Sequence, residues 1–183
     1  MIVVTAPDSM PTLLQLAKSC FANIGVLYPR PFAAVFHGDD PEIIFLPQNM
    51  LSHITAENAV FISGGNDRLP VSIDCKNAIV LIDSADPDAM RQAAFNHLPA
   101  ITCGRASSDT FTCSSWTADG AVICLQRSRA AFDGQTVEPF ELPVSFHSPP
   151  DMFSLLCCGA IACLMGKNSP FAAAARWELP EIC

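Results

Sequence analysis

Charge is scarce in this sequence, and positive charge is scarcest. Only 15% of the residues are charged, and ten Lys and Arg stand against eighteen Asp and Glu, for a net charge of -8. The basic residues are scattered rather than gathered into a stripe, so a phosphate backbone would be repelled and nucleic acid is not an expected partner. A basic leader segment is missing too. The first Lys is Lys18, and Pro7 and Asp8 interrupt the opening apolar run, which argues against a signal peptide. Long apolar runs are equally lacking. Residues 152–165 are the longest and contain Ser154, short of the roughly 20 residues that span a bilayer. These absences predict a soluble, cytoplasmic protein with no membrane partner.

Cysteine is the exception to this scarcity, with nine in the chain. They form no C-x-x-C pair, and no His lies at zinc-finger spacing. Most lie in apolar segments, where Cys acts as a small hydrophobe. Free thiols in a reducing compartment, with no bound metal, are therefore expected. Half of the 183 residues are hydrophobic, enough for the core of a single domain over residues 1–183.

The order of elements points to an α/β fold. Residues 2–5 (IVVT) are a buried strand, and a turn at 7–11 (PDSMP) opens a helix with Leu13, Leu16, Ala17 and Cys20 at helical spacing, closed by Gly25. Residues 33–36 and 43–46 read as strands of a hairpin turning at 37–40 (HGDD), 60–62 as a further strand, and 64–67 (GGND) as a loop. The wholly apolar run 78–82 (AIVLI) fits a central parallel strand. A helix follows at 88–97, then a strand at 101–103. Residues 110–114 and 121–126 flank Asp119-Gly120 as a second hairpin. The stretch 137–146 suits an edge strand because it holds Pro139 and Pro143. Ser148 to Asp151 starts a helix that is apolar nearly all round, so it should be buried. The expectation is a three-layer, Rossmann-like α/β fold: a mostly parallel sheet, helices on both faces and an antiparallel hairpin extension.

Three segments, in order, resemble the central ATP-binding domain of the Mur ligases and folylpolyglutamate synthases. Residues 148–166 (SPPDMFSLLCCGAIACLMG) lie over the family's G-x-H-N-x-x-N-A-x-A-A-x-A helix, preceded by 100–104 (AITCG), similar to its I-T-Y-G strand, with Asp109 matching an acidic residue beyond it. Residues 78–87 (AIVLIDSADP) resemble the strand ending in N-A-D-D-P, with Asp86 and Pro87 matching. Residues 4–17 (VTAPDSMPTLLQLA) align with the P-loop V-T-G-T-N-G-K-T-T, with Val4, Thr5 and Thr12 matching. The resemblance covers about two-thirds of the chain, whose length leaves no room for the family's two flanking domains. An unrelated Rossmann-like protein is the competing reading.

The resemblance implies a nucleotide site that has departed from its pattern. P-loop glycines let backbone N–H groups reach the phosphates, the Lys adds charge, and the hydroxyl ligates magnesium. Here Ala6 and Ser9 replace the glycines, Met10 the lysine and Pro11 the first threonine. Pro150, Asp151 and Ser154 replace the H-N and N of the last helix, and Ala85 replaces an Asp placed near the ribose. The implied outcome is no ATP chemistry, no cofactor, no catalytic residues and no metal. What survives is a residual ligand cleft of Thr5, Asp8, Ser9, Thr12, Asp83, Asp86 and Asp151. Weak anion binding at the Ser9–Thr12 helix start stays open, because a helix N-terminus attracts anions. Plainer readings stand beside these. Asp86 caps the following helix, His37 with Asp39 and Asp40 is a polar turn rather than a metal cluster, and the arginines bind an acidic ligand only if they converge. Three functions follow: a non-catalytic module that binds a protein partner or itself, a small-molecule binder using the remodelled cleft, or a thiol- or carboxylate-based enzyme.

Overall fold

The computed structural model describes residues 1–7, 11–21, 24–29, 32–37, 41–63, 69–70, 72–171 and 175–179. The expectations for Asp8, Ser9 and Met10, for the turn at 38–40 and for the loop at 64–67 lie outside these residues.

Strand β1 (Ile2–Ala6) forms from the opening β-branched run, with Val4 and Thr5 fully buried. Helix α1 (Pro11–Cys20) begins at a proline, tolerated because first-turn amides have no intrahelical acceptor. It buries Leu13, Leu16 and Ala17 completely. It ends at Cys20, and Gly25 lies inside β2 (Ile24–Pro29) rather than closing the helix. The expected hairpin between residues 33–36 and 43–46 does not form. β3 (Phe32–His37) pairs antiparallel with β2, while β4 (Ile43–Pro47) runs parallel between β1 and β2. Ile43 and Phe45 are buried, as suits an apolar strand in a sheet interior rather than in an edge hairpin.

β5 (His53–Ser63) and β6 (Ser72–Asp83) are the longest strands and pair in parallel along their whole length. The described residues between 32 and 75 thus enter the main sheet through β3, β4, β5 and the start of β6. Both long strands shift face midway. Ala56 and Ala59 join one apolar cluster, as do Cys75 and Ala78, although strict alternation would part each pair. Lys76 with Glu57 and Asn77 with Asn58 bond side chain to side chain where the shift occurs.

After β6 come α2 (Pro87–Phe95), β7 (Ala100–Gly104), β8 (Phe111–Trp116) and β9 (Gly120–Leu125), then the small β10 (Arg129–Ala130) and β11 (Thr136–Val137) hairpin. β12 (Phe140–Ser145), α3 (Met152–Leu164) and β13 (Trp177–Glu178) complete the order. The 11-stranded sheet runs β13-β12-β9-β8-β7-β6-β5-β1-β4-β2-β3. From β2 to β8 every neighbouring pair is parallel. The β8–β9 hairpin turns near Asp119-Gly120 as the sequence predicts, and β9–β12 continues it antiparallel. The stretch 137–146 is divided between β11 and β12. β13 covers β12 only at Val144 and Ser145, so most of β12 stays edge-like and Pro143 is tolerated there.

Two apolar clusters mark the two faces. Leu13, Leu16, Val4, Val60, Leu81 and the residues of α3 form one, so α1 and α3 share a face. Phe61, Val80 and Ile82 pack with Ala89 and Ala93 of α2 on the other. Eleven of the thirteen α3 residues are buried, which its all-round apolar sequence predicts. A Cβ on Gly159 would sit 3.1 Å from both Phe111 Cε1 and Ile123 Cδ1, so glycine lets this helix lie close on β8 and β9. Burying each of its Leu and Ile side chains contributes about 1.5–3 kcal/mol. No helix among the described residues is long and apolar enough to cross a membrane.

Candidate functional site

Open α/β sheets bind ligands at the carboxyl ends of their strands. Here that edge holds the ends of β1, β4, β6 and β7 and the start of α3. Thr5 ends up fully buried, and its hydroxyl points at Gln48 Oε1 at 3.4 Å, in the turn after β4. Thr12 is half-buried on the first turn of α1. Asp8 and Ser9 lie outside the described residues.

The acidic residues of this edge each hold local backbone. Asp83 closes β6, and its Oδ1 accepts the Ala85 N–H at 2.9 Å. Asp86 caps α2, accepting the N–H groups of Asp88 at 2.9 Å and Ala89 at 3.1 Å, with Pro87 in the first helical position. The plainer reading of Asp86 therefore holds. Asp151 caps α3, with its Oδ2 accepting from Ser154 N at 2.8 Å and Ser154 Oγ at 2.7 Å.

A clamp that sequence reasoning missed joins two of these loops. Asp109 is only 2% exposed, and its Oδ2 accepts from Ser84 Oγ at 3.0 Å and Ala106 N at 2.9 Å. It ties the turn after β6 to the loop after β7. Gly104 sits against this clamp, and a Cβ there would collide with Ser84 Oγ and the Asp109 carboxylate. Resemblance flagged Asp109, but nothing local in the sequence pairs it with Ser84, twenty-five residues away. Arg105 Nε donates to Met152 Sδ at 3.4 Å, bringing the start of α3 to the end of β7. The structure thus assembles Asp83, Asp109 and Asp151 along one edge.

Arg91, Arg105, Arg127 and Arg129 each have their own partner, that of Arg105 being Met152. Arg91 pairs with Asp88 on α2, Arg127 donates to Ser108 O, and Arg129 to Thr110 Oγ1. Eight cysteines are described and none forms a disulfide, while Cys183 lies outside the described residues. Burial pushes the Cys20 thiol up, reinforced by a hydrogen bond with Cys158. Burial likewise raises Cys157, which bonds Cys103, and lifts Cys163 to about 12. A thiol nucleophile needs the opposite shift. Among the described residues no group of three or more His, Cys, Asp or Glu is placed to hold a metal ion. Two cavities lie away from this edge, one of about 340 Å³ beside β12 and one of about 640 Å³ at the start of β7.

No protein-family model matches the sequence, and neither does any curated protein. Among solved structures the chain is similar to the UDP-N-acetylmuramate:L-alanyl-gamma-D-glutamyl-meso-diaminopimelate ligase (MPL) from Neisseria meningitides. The TM-score is 0.50 and the sequence identity 10%. The match covers 92% of this chain and 62% of that one. At such identity the likeness is one of fold, and it defines a Mur-ligase-like, Rossmann-like α/β architecture.

Proposed function

We propose that this chain is a Mur-ligase-like scaffold without ATP chemistry, and that it works by associating with a protein surface, in the simplest case a second copy of itself. Two lines support the first half. The P-loop lysine and glycines are replaced in the sequence, and Asp83, Asp86, Asp109 and Asp151 place hydrogen-bonded carboxylates along the edge where a nucleotide's phosphates would approach. The free thiols of the described cysteines suit a reducing compartment, and we assign the protein to the cytosol on that ground.

One observation carries the second half. Among the described residues α2 is the helix packed on its face of the sheet, and it leaves Phe95 85% exposed and Met90 43% exposed. Partly buried Val3, Leu51 and Ile73 pack against the same cluster. Exposed apolar side chains on the one described helix of this face support an interaction surface here. Sedimentation velocity over a concentration series tests this. The expected result is a dimer that Phe95→Asp dissociates without loss of helix content. A monomer at every concentration, or a dimer indifferent to Phe95→Asp and Met90→Asp, overturns self-association through this face.

A further inference from the structure

The larger cavity lies on the opposite edge of the sheet from the carboxylates. It is a groove of about 640 Å³ between the first half of β6, the start of β7, the turn after α2 and the β10–β11 hairpin. β6 has no β7 partner before Val80, which leaves this strand edge open to the groove. The size suits a small organic molecule.

Its charge runs against that of the chain. Eighteen Asp and Glu outnumber ten Lys and Arg overall, yet among the described residues the groove is lined by Lys76, His97 and Arg129 and by no acid. Lys76 is bonded to Glu57 outside it. Arg129 is not compensated. It is half-buried, its guanidinium donates to the neutral Thr110 Oγ1 at 3.1 Å, and its Nε is buried without a partner. The ion pairs among the described residues, Lys76–Glu57 and Arg91–Asp88, do not include it. A buried guanidinium N–H left without an acceptor is costly, and an anion reaching Arg129 from the groove would relieve that cost.

His97 lines the same groove. It has a φ of 53°, the left-handed region, at the position after α2 where the chain closes with Leu98 N bonded to Ala93 O. Glycine is the usual residue there. A histidine carries strain at this helix-closing position that glycine would not, so His97→Gly tests its side chain without costing stability. Ile79, Leu98, Phe132 and Leu164 supply apolar walls.

We infer that this groove binds a small amphiphile with an anionic head, a carboxylate or phosphate on an apolar body, with the head between Arg129 and His97. Octanoate, octyl phosphate and neutral octanamide are the probes, titrated by calorimetry and into ¹⁵N-labelled protein while the Arg129 Nε–H resonance is followed. At least one anion is expected to bind and to shift that resonance, and the tighter of the two identifies the head group. Octanamide should bind at least about tenfold more weakly, the loss of one charge-assisted contact. Arg129→Gln should lower anion affinity by a similar factor. His97→Gly should raise the melting temperature while weakening the anion, a combination that unfolding cannot produce. Equal binding of octanamide, no binding of either anion, or His97→Gly and Arg129→Gln proteins with undiminished affinity overturns the assignment.

Discussion

Asp151→Ala separates a cap from a ligand-binding residue. Asp151 accepts two hydrogen bonds from Ser154 at the start of α3, a helix buried along nearly its whole length. Removing an N-cap acceptor costs about 0.5–2 kcal/mol. Ser154 is 1% exposed, so its hydroxyl would lose its acceptor away from water, for about 1–3 kcal/mol more. The sum is about 1.5–5 kcal/mol. For a chain of 183 residues each kcal/mol moves the melting temperature by about 2–4 °C, so a fall of about 3–20 °C is expected. Asp151→Asn keeps an acceptor oxygen and should cost about 1 kcal/mol or less. Asp151→Ala with Ser154→Ala removes the orphaned hydroxyl and should recover about 1 kcal/mol or more of the loss. Urea denaturation followed by circular dichroism measures all three. Residues held for a ligand commonly reduce stability, so a neutral or stabilising Asp151→Ala would refute the capping account. So would an Asn variant as damaged as the Ala one.

Gly104→Ala should destabilise by about 1–3 kcal/mol, read by the same denaturation, because its methyl must displace Ser84 Oγ and the Asp109 carboxylate. The Lys167 and Gln135 backbone N–H groups, each 3.0 Å away, hold the Asp133 carboxyl below its usual 3.8. With the folded value below the unfolded one, its contribution is present above about pH 4 and is lost as pH falls through the depressed value. Asp133→Asn should flatten that acid limb of a stability-versus-pH curve, and an unchanged limb contradicts the assignment. Upshifted thiols, half-buried at Cys20 and buried at Cys157 and Cys163, should react slowly with Ellman's reagent in the folded protein at neutral pH. Unfolding without reductant should release all nine, and a smaller number would reveal paired cysteines.

Where a segment's own residues settle its environment, the sequence was readable. The run 78–82 is apolar on both faces and becomes the buried half of β6, Asp119-Gly120 marks the β8–β9 hairpin, and the apolar helix after Asp151 is buried as its composition demands. Pairing decided by distant partners was not readable. Gly25 resembles a helix stop, and only pairing with β3 and β4 makes it part of a strand. Nothing within 43–47 says that β4 enters beside β1 rather than turning back on β3. The first half of β5, with exposed His53, Thr55 and Glu57, reads as polar chain, yet it extends in register with β6. At the candidate site, the capping role of Asp86 was legible because Asp-Pro before a helix is a local signal. The Ser84–Asp109 clamp and the uncompensated Arg129 were not, since each depends on which loops the topology brings together.

The proposed absence of ATP chemistry is tested most directly by calorimetric titration with ATP and magnesium, with phosphate release measured on the same sample. By resemblance, Met10 removes the lysine and Pro11 removes a phosphate donor and the magnesium hydroxyl. Charge-assisted contacts of this kind are worth about 1.5–3 kcal/mol each, and about 1.4 kcal/mol is tenfold in affinity. The account predicts no saturable heat beyond weak anion binding and no turnover. A dissociation constant in the low micromolar range, or ATP turnover abolished by changing Thr12, would contradict it.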